Sequence, residues 1–358
     1  MWAYALKSKK RVLKALAYEE TDRVPIDCWA TRHIDSLLCK HFGVESREEV
    51  LRKLEVDLRY VFPEYAGPEL RTYADGSYDD VWGVRRKRVE TSMGEYDHEI
   101  SNPLSSISTI EELEVWTPPS PDWYDYDSLK RQCERFRDYA TVLVDKRTNR
   151  TSVLHAAIYL RGMRQALMDL FIKPDFTRRL YRKITDFYLE VNRRCFEAAG
   201  DGIDIFMIGD DLGTQDSLIV SPKIIREFLK PMLAEHARLA EKYGLYVMLH
   251  TCGSIRNIIP DLIDLGVDIL NPIQVRAKNM NPEEIKVEFG DKLCFHGAVD
   301  VQWTLPYGTT KDVRAEVRER IKTLGKGGGY ILCSTHNIQA GTPLENILAM
   351  YKEAKRRA

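Results

Sequence analysis

The residues with the most chemical reach lie between positions 210 and 336. His250-Thr251-Cys252-Gly253 closes the apolar run LYVMLH (245–250). In an extended backbone residues i and i+2 face the same side, so the imidazole and the thiol aim at one point. Zinc accepts both ligand types at about 2.0–2.3 Å, and a catalytic zinc takes three protein ligands while keeping one position open. The spacing therefore points to a zinc site with His250 and Cys252 as two ligands. A third must come from elsewhere. His336, just past the run YILCST (330–335), is the candidate; Cys333, inside that run, reads as a small buried core residue and is the second choice.

Other polar groups end neighbouring apolar runs. Asp210 and Asp211 follow DIFMIG (204–209). Adjacent side chains alternate on an extended chain, so one of the pair faces inward, to position substrate, orient a ligand imidazole or act as acid and base. The other caps the following turn. Asn271 and Gln274 end DILNPI (268–273), His296 and Asp300 belong to the LCFHGAV run (293–299) and its exit, and Trp29 ends RVPIDCW (23–29). These five are the substrate-binding candidates, although His296, like His155, also reads as a supporting or packing residue. The basic run RRKR (85–88) reads as a solvated strand face. KGGGY (326–330) lacks the Lys-Ser/Thr of a phosphate-cradling loop and reads as a tight helix-to-strand turn.

The elements that must position these groups follow from the apolar pattern. Five short runs rich in Ile, Val, Leu and Phe (204–209, 245–250, 268–273, 293–299 and 330–335) suit strands buried on both faces of a parallel sheet. Helical patterns separate them, several ending in glycine, and PLENILAMYKEAKRRA supplies a last helix with Pro343 in its first turn. RVPIDCW (23–29), VDLRYVF (56–62) and TVLVDK (141–146) add three strands, with helices near 164–172 and 175–199. Eight strands alternating with helices predict a (β/α)8 TIM barrel, ahead of an open doubly wound sheet, and place the active site at the C-terminal strand ends. Residues 63–126, with ADGSYDD and WTPPSPDW, read as an inserted region of hairpins and loops near the barrel mouth, acting as a lid or a packing appendage. Residues 1–358 are otherwise read as a single domain.

Composition narrows the partners. With 53 Lys+Arg against 54 Asp+Glu among 358 residues, the chain lacks the basic surplus that nucleic acid requires. Mean hydropathy is -0.37, and no window approaches 18 consecutive apolar residues, which excludes a membrane-spanning helix. Seven scattered cysteines cannot all pair within one chain and suggest a reducing cytoplasm. The start, MWAYALKSKKRVLKAL, reads as an amphipathic helix capped by Ser8 rather than a signal peptide.

GDDLGTQDSLIVSPKIIREFLKP, YVMLHTCGSIRNIIPDLIDLGVDILNPIQ, FHGAVD and above all THNIQAGTPLENI together resemble the uroporphyrinogen decarboxylase superfamily, whose fold is a (β/α)8 barrel. One branch decarboxylates a tetrapyrrole without a cofactor. The other resembles the zinc methyltransferases that work with corrinoid proteins and coenzyme M, which carry an HxC pair and a later Cys as ligands. The resemblance places His250 and Cys252 on the pair and His336 on the later Cys. The arginine-rich clamp of the decarboxylases is missing from RVPIDCWATRHID, where Trp29 and Thr31 stand in its continuation and only Arg32 remains. Two imidazoles and one thiolate leave zinc a net charge of +1, making it a stronger Lewis acid than a two-thiolate centre, so the substrate need not be coenzyme M.

Three readings follow. The leading one is a zinc-dependent methyltransferase moving a methyl group between a small thiol, ether or amine and a separate corrinoid protein, supplied in trans because the chain has no DxHxxG stretch. The alternatives are a metal-free decarboxylase or lyase of a carboxylated substrate, and a non-catalytic barrel that binds a tetrapyrrole or corrinoid carrier. Relatives make both monomer and homodimer compatible with any of the three.

Overall fold

The structure, a computed structural model, describes residues 6–91, 94–145 and 150–356. Seven apolar runs form the strands β1 (Leu58–Val61), β2 (Ala140–Leu143), β3 (Ile205–Gly209), β4 (Tyr246–His250), β5 (Ile269–Ile273), β6 (Cys294–Val299) and β7 (Tyr330–Ser334). They pair in that order, each parallel to the next. Nearly every residue in them is buried, which is why apolar residues predominate on both faces rather than alternating with polar ones. Of the expected strand 141–146, position 146 lies outside the described residues.

The run 23–29 does not form the regular strand expected of it. It makes two isolated parallel bridges, Ile26 with Leu332 and Ala30 with Ile338. Pro25 has no N–H to give, which shortens any ladder there. Short as it is, this segment touches both edges of the sheet. Asp27 N donates to Leu332 O at 2.9 Å on the β7 side, and Asp57 N donates to Ile26 O at 2.8 Å on the β1 side. The fully buried Asp57 secures the crossing by accepting from Ile26 N at 2.9 Å and pairing with Arg11 at 2.7 Å and Arg23 at 2.6 Å. The sheet is thus curled and TIM-barrel-like.

Inside the curl lies an apolar layer of Leu58, Ala140, Val142, Ile205, Met207, Met248, Ile269, Cys294 and Ile331. Val12 and Leu16 of the helix Ser8–Leu16 pack into the same cluster. Ser8 is the first residue of that helix and not its cap; Lys7 holds the cap position without a side-chain bond. A larger apolar cluster fills the space between sheet and helices.

The helices Met163–Ile172 and Pro174–Ala199 stand where the pattern put them, preceded by Leu154–Arg161. After Pro222–Ile224 the chain widens into a π turn, Ile225–Leu229, before continuing as Lys230–Lys242. Pro231 explains the widening, since its ring would collide with the carbonyl four residues back in a regular α turn. The last helix, Leu344–Ala354, begins just after Pro343.

Between β1 and β2, Glu64–Tyr65 pairs antiparallel with Tyr124–Asp125, and Arg85–Thr91 pairs antiparallel with both Gly94–Ser101 and Tyr78–Asp79. The RRKR run is not uniformly solvated. Arg86 is buried, bonded to Asp80 at 2.6 Å and stacked 4.4 Å from the Tyr159 ring centre, because a strand sends alternate side chains to opposite faces. No helix among the described residues is long and apolar enough to cross a membrane.

Candidate metal centre

Two residues above the apolar layer, the same inward-facing positions turn polar: Met248 gives way to His250, Ile269 to Asn271, Cys294 to His296, Ile331 to Cys333 and Leu58 to Tyr60. Pro272 withholds a ladder N–H, and the β5–β6 register shifts between Leu270 and Ile273, beside Asn271.

At the ends of β3 and β4, ligand atoms of Asp211, His250 and Cys252 lie within 4.8 Å of one another. His250 Nε2 stands 3.6 Å from Cys252 Sγ and 3.4 Å from Asp211 Oδ1, and Cys252 N donates to the same carboxylate oxygen at 2.9 Å. Two loops must come very close for this to happen. Gly253 has φ +94°, and a Cβ there would lie 2.4 Å from Gly213 C and 2.5 Å from Thr214 O. Ser254 N donates to Thr214 O at 2.7 Å and Leu212 N to Thr251 Oγ1 at 2.9 Å, so the loops are stitched side by side.

Burial, reinforced by the charge of Arg150, holds His250 below its usual pKa and hence neutral, against the pull of Asp211 and Asn271. Burial by itself would raise the Asp211 carboxyl. With a proton on His250 Nε2, the His250 and His155 imidazoles and the Cys252 N–H outweigh it and hold the group below the usual carboxylate range; with Nε2 bare, the first of these contributions is absent.

The other expected site residues fall into three groups. Trp29 belongs at the centre, its ring 5.3 Å from that of His250 and 5.8 Å from that of His296. Asn271 Oδ1 meets His250 Nδ1 at 2.5 Å, and Gln274 Oε1 accepts from Gly253 N at 2.8 Å, so both hold the centre's own residues. The His336 ring centre lies 6.4 Å from that of His250. Two imidazoles sharing one tetrahedral zinc stand roughly 5 Å apart by this measure, so His336 is about 1 Å too distant to share an ion as placed.

Asp210, Asp300 and Cys333 are turned to other work. Asp210 was a candidate acid or base, yet its buried carboxylate accepts from the backbone N–H groups of Val153, Leu154 and His155 at 2.7, 3.0 and 2.9 Å and so caps the helix Leu154–Arg161. His155 bridges the aspartates, 3.3 Å from Asp210 Oδ1 and 3.7 Å from Asp211 Oδ2. Asp300 pairs with Arg276 at 2.5 Å and accepts from Gln302 N at 2.8 Å, beside a separate cavity of about 960 Å³. Cys333 lies in a second close group with Asp27 and His296, all fully buried. Both ring nitrogens of that histidine are already engaged, at 2.6 Å with Asn271 and 2.9 Å with Asp27, and burial pushes the Cys333 thiol well up.

A cavity of about 920 Å³ adjoins Trp29, lined by Tyr60, Phe62, Tyr65, Tyr124, Arg150 and Asn337 among others. Tyr65 and Tyr124 come from the segment between β1 and β2, and Arg32 and Arg47 also face the cavity. Arg150 crosses Gly209, where a Cβ would lie 2.1 Å from its Cδ. The sequence pattern left Asp27, Tyr60 and Arg150 unassigned. The inward alternation of VDLRYVF and RVPIDCW carried a signal for the first two; nothing marked Arg150.

Fold and site define an α/β protein with a curled parallel sheet and a His–Cys–carboxylate cluster at the strand ends. The uroporphyrinogen decarboxylase (URO-D) family model matches residues 90–357, and the chain belongs to that family. It is 29% identical over 149 residues to the methylcobamide:CoM methyltransferase MtaA of Methanosarcina barkeri, and 28% identical over 149 residues to that of strain Fusaro / DSM 804. Each match covers 42% of this chain and 40% of the relative, so the chain spans about two fifths of the length of the curated relatives it matches. A methyltransferase from Methanosarcina mazei superposes with a TM-score of 0.65 over 98% of both chains at 19% identity, which shows a common fold.

Proposed function

We propose that this protein is a zinc-dependent methyltransferase that moves a methyl group between a small thiol, ether or amine and a corrinoid held by a separate protein. The observation that carries the reading is the convergence of His250, Cys252 and Asp211 within 4.8 Å. A neutral imidazole, a thiol and a carboxylate held low form a borderline-soft donor set of the kind zinc takes. His250, Cys252 and Asp211 would hold the ion, with two further imidazoles close by: His155, 3.7 Å from Asp211 Oδ2, and His336, its ring 6.4 Å from that of His250. Zinc bound there would supply Lewis acidity, lowering the pKa of a bound thiol or polarising the atom that carries the methyl group.

The chain's own residues do the rest. Asn271 orients His250, and Gln274 fixes the Gly253 turn so that Cys252 keeps its place. Trp29 covers the imidazole on one side and borders the adjoining cavity, keeping water from the centre and giving substrate an apolar surface. Family membership and the similarity to methylcobamide:CoM methyltransferases support the methyl-transfer chemistry and the corrinoid partner.

The test is zinc stoichiometry followed by methyl transfer from a methylated corrinoid. Wild type should hold close to one equivalent. Cys252→Ala should lose most of it, Asp211→Ala should bind more weakly, and activity should fall in step with zinc. Less than a tenth of an equivalent in metal-replete protein, unchanged by Cys252→Ala, would falsify the proposal.

One observation favours a second reading. Arg32, Arg47 and Arg150 border the mouth cavity, with Glu64, Asp80, Asp97 and Asp145 also in its lining, and the three guanidinium groups are the contacts that a carboxylated substrate of a metal-free decarboxylase would use. Activity that survives a strong chelator and needs Arg150 would favour it.

A further inference from the structure

We propose that Asp27 and His296 are positioning residues that set the tautomer of His250 through Asn271. The inference rests on the reading of His250 as a metal ligand only for its consequence; the hydrogen-bond chain stands without it. The chain is continuous: Trp29 Nε1 to Tyr60 Oη at 2.6 Å, Tyr60 Oη to Asp27 Oδ2 at 2.5 Å, and Asp27 Oδ2 to His296 Nε2 at 2.9 Å. It continues from His296 Nδ1 to Asn271 Nδ2 at 2.6 Å and from Asn271 Oδ1 to His250 Nδ1 at 2.5 Å. Asp27, Asn271, His296 and His250 are all buried, so bulk water does not compete for these groups.

Donor and acceptor roles propagate from one end. An indole N–H can only donate, so Tyr60 accepts from Trp29 and must send its own proton to Asp27. Asp27 is ionised: burial opposes this, but His296, Tyr60 and the Cys28 N–H together hold its carboxyl below the usual range. A carboxylate only accepts, so His296 Nε2 carries the proton, and the Asn271 Nδ2 amide group meets His296 Nδ1 at 2.6 Å, so that nitrogen accepts and is bare. With its NH2 on His296, Asn271 turns its oxygen to His250. His250 in turn donates from Nδ1 and presents a bare Nε2 to Cys252 Sγ at 3.6 Å and Asp211 Oδ1 at 3.4 Å. A bare Nε2 can accept from the Cys252 thiol or, with Asp211 Oδ1, ligate a cation. The tautomer that can ligate is thus imposed from Asp27, three groups away.

The decisive variant is Asp27→Asn. Cys28 N donates to Asp27 Oδ1 at 2.7 Å and Tyr60 Oη to Oδ2, so the variant is made in a Tyr60→Phe background, which on its own keeps the wild-type tautomer; there the new amide keeps its oxygen toward Cys28 and turns its NH2 to His296. Every role then reverses, and His250 ends with its proton on Nε2. Adding Asn271→Asp restores the original state, because a carboxylate at 271 accepts from both histidines. The readout without metal is a long-range ¹H–¹⁵N spectrum of the histidine-labelled protein, the His250 signals assigned by their loss in His250→Gln.

Wild type and Tyr60→Phe should show a protonated Nδ1 and bare Nε2, Asp27→Asn in the Tyr60→Phe background the reverse, and the variant with Asn271→Asp added the wild-type pattern. Zinc affinity, measured by competition with a chromophoric chelator, should fall about 10–100-fold from Tyr60→Phe on adding Asp27→Asn and recover to within about threefold once Asn271→Asp is added. An unchanged tautomer in folded Asp27→Asn overturns the inference even if zinc binds normally. A reversed tautomer in protein that never binds zinc upholds it and removes the metal reading instead. Should Asp27→Asn not fold, Asn271→Asp must keep the Nδ1 proton and Asn271→Leu release it; identical tautomers in those two would also overturn the inference.

Discussion

Asp210 separates a residue that builds the site from one that works in it. Its carboxylate takes three backbone N–H groups at 2.7, 3.0 and 2.9 Å where the helix Leu154–Arg161 begins. In Asp210→Ala each of these buried donors is orphaned, at about 1–3 kcal/mol apiece. Removing a buried charge returns several kcal/mol, which leaves a net loss of about 3–5 kcal/mol. Asp210→Asn keeps one acceptor oxygen. Placed where Oδ2 now sits it retains the bonds from Val153 and Leu154, but its NH2 then faces the His155 N–H, for a net loss of about 1–3 kcal/mol. Urea unfolding followed by circular dichroism measures both, and the graded order wild type, Asn, Ala is the expected result, with folded Asp210→Asn keeping most of its zinc. If both variants stay within about 0.5 kcal/mol of wild type while methyl transfer disappears, the carboxylate is chemical and the capping argument is wrong.

Two further outcomes follow from the same structure. Gly253→Ala combines a positive φ with overlap at 2.4 Å against Gly213. It should cost about 2–4 kcal/mol and, by spreading the loops that join Asp211 to Cys252, weaken zinc binding, checked by thermal melting and chelator competition. His236 is fully buried with neither ring nitrogen bonded, and burial, followed by the charge of Arg182, drops its pKa to about 3. The unfolded chain binds that proton near pH 6.5, so this group's stability is fully present above pH 6.5 and lost as pH falls toward 3, about 3 kcal/mol by pH 4.5. His236→Leu should flatten the dependence of urea midpoint on pH across that window; parallel curves for variant and wild type would show that His236 is not the group responsible.

How far the sequence could be read depends on what each residue's role requires. Strands β1 to β7 were legible because burial on both faces leaves a run of apolar residues that few other environments produce. The pairing of His250 with Cys252 was legible for a similar local reason, the two-residue period of an extended chain. Asp211 was legible only as one of two adjacent carboxylates. Choosing between them needed the helix that begins at Leu154, whose N–H groups claim Asp210, and that helix had no capping side chain of its own to announce it. The carboxylate that caps it comes from 56 residues away in sequence, beyond any local pattern.

The polar layer shows what a stricter use of the period would have added. Counting two residues up from each inward apolar position gives Tyr60, His250, Asn271, His296 and Cys333 in a single tier, and Asp27 reaches the same tier from the bridging segment. Five of these six take part in one hydrogen-bond chain, and Cys333 lies against two of them. A tier in which an imidazole, an amide, a second imidazole and a carboxylate follow one another around a barrel cannot satisfy its buried donors and acceptors at random. Each member's proton position is dictated by its neighbour, so the tier has few self-consistent states. Once the Tyr60 hydroxyl no longer claims the Oδ2 position, exchanging Asp27 for the isosteric asparagine is therefore enough to select which state His250 adopts.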